Sequence, residues 1–228
     1  MKRIIFYLFL STLIFGQSKD PYAILNKVKA SFAKVKDYKA DISVKVNMEY
    51  LKVPDMKATM YFKQPNKTKL DSKEFAMLPK QAFNFSPTAM LEKDFSAIYV
   101  KQDKIDGRTM HVVKVIPNSD SAIIILFTVW IDAEKNLVRR VESTARRGGS
   151  TQIELMYDNN FQYPLPKKIL FSLDVPKLQF IQDPRNKKLD TNKKSGQKTT
   201  ERGSVEIFYS NYKVNSGLSD DIFKEKKK

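Results

Sequence analysis

From Tyr38 to Tyr50 the chain reads YKADISVKVNMEY, with Tyr38, Ala40, Ile42, Val44, Val46, Met48 and Tyr50 alternating against Lys39, Asp41, Ser43, Lys45, Asn47 and Glu49. Apolar and polar side chains that trade places at every step mark a β-strand with one dry face and one wet face. The run is about twice the usual strand length of roughly five to six residues, which predicts a large, curved antiparallel sheet. Just before it the period changes. Over Asp20 to Lys36, Ile24, Leu25, Val28, Phe32 and Val35 fall on one stripe, Asp20 is placed to cap and Pro21 occupies the first helical position, so this segment reads as an amphipathic helix. Its stripe needs a dry surface, and the neighbouring strand supplies one. A helix laid into the concave side of a twisted sheet follows.

Further along, Pro54 and Asp55 turn the chain into a second two-faced run, where Met56, Ala58, Met60 and Phe62 alternate with Lys57, Thr59, Tyr61 and Lys63. Gln64, Pro65 and Asn66 then lead to a return strand over Lys67 to Ser72. Asp106-Gly107 is a hairpin signal between Ala97–Lys101 and Arg108–Ile116. Ile123 to Asp132 (IIILFTVWID) is apolar on both faces, which predicts a central strand covered on both sides. Strands over Leu137 to Thr144, Gln152 to Tyr157, Lys168 to Val175 and Ser204 to Lys213 complete a meander, and Asp220 to Phe223 reads as a short closing turn. The expected fold is mainly β (α+β): an incomplete barrel of about ten or eleven strands wrapped around the N-terminal helix and a short lid helix.

Two stretches break the pattern. Between Lys73 and Phe95 the residues Phe75, Met77, Leu78, Phe83, Phe85, Met90, Leu91 and Phe95 sit among prolines and polar residues without alternation. They either complete the core or form a lid, with a short helix opening near Ser86 and Pro87. Between Asp183 and Arg202, within a longer loop over about residues 178–202, the chain is basic and nearly devoid of apolar side chains, with Arg185, Lys187, Lys188, Lys193, Lys194, Lys198 and Arg202. That composition predicts a mobile insertion within a single domain over 19–228.

The first residues add a location. Met1, Lys2 and Arg3 precede the apolar run Ile4 to Phe15, and Gly16, Gln17 and Ser18 follow. This is the layout of a secretory signal peptide cleaved near residues 16–18, and no cysteine follows to carry a lipid anchor. Export to the periplasm is the expectation. The formal charge of +16 favours anionic partners. Nucleic acid is disfavoured because export removes the chain from it and aromatics do not interleave with the basic stretch.

Catalytic chemistry has little to work with. His111 is the single histidine, set in the strand-like run RTMHVVKVI, and there is no cysteine, which leaves no obvious zinc site and no thiol nucleophile. Gly148-Gly149 lacks the lysine and helix context of a phosphate loop. A non-enzyme without cofactor or metal is the expectation. The chain offers adaptable apolar surface instead: Met48, Met56, Met60, Met77 and Met90, with Phe62, Phe83, Phe85 and Phe95. Unbranched thioethers repack around flexible guests, and equally serve as core filler.

The segments ILNKVKASFAKVKDYKADISVKV, MYFKQPNKTKL, VWIDAEKNLVRRVES and VEIFYSNYKVNSGLSDDIF, in that order, resemble the LolA/LolB-like superfamily, in particular its branch of outer-membrane lipoprotein-sorting proteins. The resemblance implies a half-barrel whose hollow receives acyl chains, carried through the periplasm between transient membrane-protein donor and acceptor. The alternative within the fold is an RseB-like sensor of lipid or lipoprotein that regulates a membrane-bound partner, although such proteins usually carry a second domain. On this reading the inward rows Ile42, Val44, Val46, Met48 and Met56, Ala58, Met60, Phe62, with Met90 and Leu91 from the lid, contact a lipid ligand in a monomer. Family carriers place an arginine before the proline of the second hairpin to control the lid. That position here is Gln64, which can hydrogen-bond but carries no charge.

Overall fold

The computed structural model describes residues 19–48, 51–72, 89–91, 94–147, 149–158, 162–176 and 200–224. The expected leader, the lid-forming stretch ahead of Ala89, most of the basic insertion and Tyr50 lie outside the described residues. Among the described residues one α-helix, α1 (Pro21–Phe32), precedes eleven strands: β1 (Asp37–Met48), β2 (Leu51–Lys52), β3 (Met56–Lys63), β4 (Lys67–Asp71), β5 (Phe95–Ile105), β6 (Arg108–Pro117), β7 (Ile124–Asp132), β8 (Val138–Ala145), β9 (Ser150–Tyr157), β10 (Pro166–Pro176) and β11 (Thr200–Val214). All neighbours are antiparallel, in the order β4-β3-β1-β11-β10-β9-β8-β7-β6-β5, with the short β2 paired to the end of β1. The sheet is curved and unclosed: an incomplete barrel with β4 and β5 at its two edges.

Each local signal has a visible cause. Asp20 caps α1 by accepting from the backbone N–H of Tyr22 at 2.9 Å, and Pro21 follows it. Ile24, Leu25, Val28 and Phe32 form its buried stripe. The helix ends at Phe32, one turn before the predicted Lys36, because the Lys34 and Val35 N–H groups bond one residue nearer, to Ser31 and Phe32, and that of Lys36 donates to Asn215 Oδ1; the carbonyls beyond are then capped by side chains. Gln64 Nε2 donates to the carbonyls of Ala33 (3.3 Å) and Val35 (2.8 Å), and Asn215 Nδ2 to that of Lys34 (2.9 Å). Asp106 and Gly107 both have positive φ (49° and 75°), the geometry of the tight turn between β5 and β6. In β11, Asn211 at φ 52° sits where the pairing with β1 slips between Lys39 and Asp41, and its Nδ2 donates to Asp41 Oδ2 at 2.9 Å.

The two ends of the barrel differ. At one end lie the β3–β4, β5–β6 and β7–β8 turns, the start of β1 and the end of β11. Here buried Asp37 accepts from Ser216 N (2.8 Å), Ser216 Oγ (3.2 Å) and Gly217 N (3.1 Å), while Asn215 Oδ1 accepts from Lys36 N at 2.7 Å. The C-terminal turn Asp220–Phe223 continues this strap: Lys63 and Lys67 pair with Asp220, and Lys69 donates to the carbonyl of Ile222. We call this the clamped end. The opposite end, with the β6–β7 and β8–β9 connections, the end of β1 and the start of β11, is called the open end.

One expectation is corrected. The run Ile123 to Asp132 is not central and not covered throughout: β7 lies third from the β5 edge, and burial is complete only from Val129 to Asp132. No helix lies against the outer face among the described residues. Trp130 instead packs there with Met110, Val112 and Ile105 and is edged by polar groups: its Nε1 donates to Asp103 Oδ2 (3.1 Å), and the Arg140 guanidinium lies 5.6 Å from its ring centre while pairing with Glu154 at 2.9 Å.

Asp37→Ala strips an acceptor from three donors at once, two of them backbone N–H groups. It is expected to lower unfolding free energy by about 2–3 kcal/mol in chemical denaturation, with Asp37→Asn intermediate. An unchanged midpoint would show that the strap does not hold β1.

Candidate binding site on the inner face

The inner face, the one that carries α1, holds two packed clusters. Ile24, Leu25 and Val28 of α1 meet Val113, Val115, Val129, Ile131, Val138, Val141, Leu155 and Tyr157 of the β6–β9 half. Phe32 at the helix end meets Tyr38, Ala40, Ile42, Val44, Met56, Met60, Phe62, Leu165 and Ile207 of the other half. Both thin out toward the open end. Along β1, Val44 is 0% exposed whereas Val46 and Met48 are part-exposed. The same change separates Ile207 from Val205 in β11, Leu155 from Ile153 in β9 and Val129 from Phe127 in β7. In β1, β11, β9 and β7 the apolar side chains thus pass from solid core toward the clamped end to part-exposed toward the open end, whereas in β6 Val115, opposite Phe127, stays 0% exposed.

The sequence-predicted ligand residues divide into core and part-exposed, along that gradient in β1 but not in β3, where part-exposed Ala58 opposite Ile42 lies nearer the clamped end than buried Met56 opposite Val44. Ile42, Val44, Met56, Met60 and Phe62 are core, and Leu91 is buried against the α1 cluster. Val46, Met48, Ala58 and Met90 are part-exposed. Met90 and Leu91 belong to a 3-10 turn (Ala89–Leu91) whose Leu91 carbonyl accepts from Lys29 Nζ at 3.4 Å, so that turn is tied to the helix. Gln64 sits at the clamped end and joins the β3–β4 turn to the end of α1. Its contacts position the helix on the sheet.

The sequence reading passed over Phe127, Ile153, Phe171 and Val205, which are part-exposed and lean on the two clusters. Alternation in Lys168 to Val175 and Ser204 to Lys213 marked two of them as facing one side, but only strand order brings them beside Val46. It also missed a group of tyrosines above the β1–β11 pair. Tyr209 and Tyr212 stack with centroids 5.9 Å apart, Tyr212 meets Tyr38 edge-on at 5.5 Å, and the Tyr212 hydroxyl donates to the carbonyl of Pro166 at 2.8 Å. Burial pushes the Tyr38, Tyr209 and Tyr212 phenols above their usual value, so this surface stays uncharged at any physiological pH.

Polar clusters elsewhere serve the frame. Asp132, 1% exposed, accepts through Oδ1 from the N–H groups of Glu134 and Lys135 and shapes the β7–β8 turn. Its Oδ2 faces Arg108 (3.5 Å) and Arg139 (3.6 Å) beside a surface hollow of about 400 Å³ lined also by Tyr157 and Lys167. Among the described residues no group of three or more His, Asp or Glu could hold a metal, and no helix is long and apolar enough to cross a membrane. His111 lies beside Tyr99, edge-on at 5.9 Å, and its buried Nδ1 has no hydrogen-bond partner.

Sheet order, curvature and an apolar inner face define an incomplete barrel with a largely apolar concave side. No protein-family model and no curated protein matches the chain. Solved structures do. A LolA superfamily protein from Nitrosomonas europaea superposes with a TM-score of 0.55 at 13% identity, over 91% of this chain and 99% of that one. A DUF1329 family protein from Desulfovibrio piger gives 0.56 at 11% identity, over 90% and 98%. A structure described as an outer membrane lipoprotein-sorting protein domain from Vibrio parahaemolyticus gives 0.55 at 13% identity, over 90% and 97%. The fold is LolA-like along nearly the whole chain.

His111 supplies a pH test. Burial, then Lys19 and Lys27, hold its imidazole below the usual value. The unfolded chain therefore takes up a proton near pH 6.5 that the folded protein refuses. This contribution is present above about pH 6.5 and is lost as pH falls from there toward the lower folded value. His111→Gln is expected to flatten the dependence of unfolding free energy on pH between about 7 and 5. An unaltered slope would show that His111 is not the responsible group.

Proposed function

We propose that the protein is an exported, periplasmic carrier that shields the acyl chains of lipoproteins, or of a related amphiphile, and moves them toward the outer membrane. The burial gradient on the inner face carries this reading: a sheet that only needed a core would be as well packed at the open end as at the clamped one. The likeness of fold to a LolA superfamily protein and to a lipoprotein-sorting domain supports the choice of guest. Val46, Met48, Ala58 and Met90, joined by Phe127, Ile153, Phe171 and Val205, are the contact residues. Ile42, Val44, Met56, Met60, Phe62 and Leu91 are the packed floor behind them.

The mechanism needs no bond to be made or broken. Burying acyl chain is favourable by about 0.8 kcal/mol per methylene, so two or three chains provide ample affinity in a dry hollow. Neutral tyrosines and the lack of described carboxylates on the inner rows avoid the cost of desolvating charge. Release requires an acceptor that offers the chains an equally dry place, with the open end as the route.

Lipids extracted from gently purified protein and read by mass spectrometry are expected to contain acylated species in stoichiometric amount; a persistently empty protein would end the carrier reading. In a fluorescent fatty-acid binding assay Val46→Glu is expected to weaken binding roughly tenfold or more without unfolding the protein. Ile42→Ala, in the floor, is expected to cost about 2–4 kcal/mol of stability instead.

A further inference from the structure

The β6–β7 connection presents an isoleucine to water in a fixed pose. Ile123 is 79% exposed and Ile125, two residues on, is 38% exposed. Neither is there because the loop lacks structure. Arg146, at the end of β8, donates its backbone N–H to the carbonyl of Ile123 at 2.8 Å and its Nε to the carbonyl of Ala122 at 3.2 Å. Ser119 and Ser121 hydroxyls meet at 3.0 Å, and Ala122 N donates to Ser119 O at 3.0 Å. A bonded loop that keeps a large aliphatic side chain in water forgoes the stabilisation its burial would bring. Such a position is informative in a way that a scattered surface leucine is not.

Its surroundings say what would cover it. Ile125 and Ile116 line a shallow hollow of about 420 Å³ with Pro117 and Arg146, and the exposed Ile98 of β5 lies two residues from Ser96, which pairs with Ile116. Arg146 and Arg147 are exposed beside this strip, against Asp120 as the acid of the loop. An apolar tip flanked by cations, on a chain of formal charge +16, complements an anionic lipid surface, where the aliphatic groups enter the boundary and the guanidiniums meet phosphates. The tip also stands at the open end, where the inner face becomes accessible.

We propose that Ile123 and Ile125, with Arg146 and Arg147, form a membrane-docking edge that sets the open end of the barrel against an anionic bilayer. It rests on the carrier reading for its purpose, but the surface can be tested without any bound guest. The absence of cysteine allows one label at a time. Ile123→Cys and, at the clamped end, Glu134→Cys, each carrying an environment-sensitive fluorophore, are mixed with phosphatidylglycerol–phosphatidylethanolamine vesicles. The label at position 123 is expected to shift to the blue and the label at 134 to stay as in water. In the unlabelled protein, Ile123→Ser with Ile125→Ser is expected to lower vesicle partitioning about tenfold or more, and Arg147→Gln to lower it several-fold and weaken its salt dependence, with thermal stability and fatty-acid binding in solution unchanged. Equal shifts of both labels, or undiminished partitioning of the double variant, would overturn the docking edge. A shift at position 123 that grows with protein concentration and needs no vesicles would overturn it in favour of an interface between copies. Vesicle docking by a protein that binds no fatty acid would leave the edge standing and remove the carrier reading.

Discussion

An open sheet has more dry surface than one helix can cover. Ten strands at about 4.8 Å spacing span roughly 45–50 Å, whereas a 12-residue helix is about 18 Å long and roughly 10 Å across. The chain answers by curving the sheet and by laying the helix across it, from the start of β5, where Tyr22 meets Phe95 and Ala97, to the clamped end. Gln64, Asn215 and Asp37 bring the end of α1, the β3–β4 turn and the residues after β11 into one hydrogen-bonded knot. With the helix held there, the two core clusters close behind it, and the apolar rows beyond its reach remain partly accessible.

The outer face follows a different rule because no helix is laid on it among the described residues. Met110, Val112 and Trp130 pack together there with Ile105, and the Trp130 and Phe208 rings are further covered by cations anchored on acids. Lys168 pairs with Glu206 at 3.0 Å and lies 4.9 Å from the Phe208 ring centre, while Lys45 approaches the same ring at 5.9 Å. Arg140 does the same for Trp130. Each such contact contributes on the order of 0.5–1 kcal/mol at an exposed site, less than burial would. In return, charges stud a surface that would otherwise stack against another sheet. The edges are handled locally: Tyr22 accepts from the backbone N–H of Ala97 on β5, and the C-terminal turn braces β4 through Lys69. Against that background an exposed, hydrogen-bond-anchored isoleucine stands apart.

Much of the fold was legible in the chain because its causes are local. Alternation over Tyr38 to Tyr50 identified the long strand, Asp20 and Pro21 the start of the helix, and Asp106-Gly107 its hairpin, each from steric or hydrogen-bonding preferences that act within a few residues. The end of the helix was misjudged by a turn because the group that draws the Lys36 N–H out of helical bonding, Asn215 Oδ1, is distant in sequence. The run Ile123 to Asp132 was read as doubly covered because apolar composition cannot tell a buried side chain from one held out in water. That distinction depends on whether another layer arrives, and here Trp130 found polar cover while Ile123 found none.

The candidate site shows the same division. By itself the sequence determined which side chains share the dry face, since alternation assigns every second residue in a strand to one side whatever the neighbours do. The tertiary structure alone decided that Val44 is core and Val46 is accessible, although the two are identical in type and face. The physical reason is reach. Pairing of β1 with β11 brings together residues more than 150 positions apart, so accessibility is set by how far along each strand its distant neighbours extend the cover.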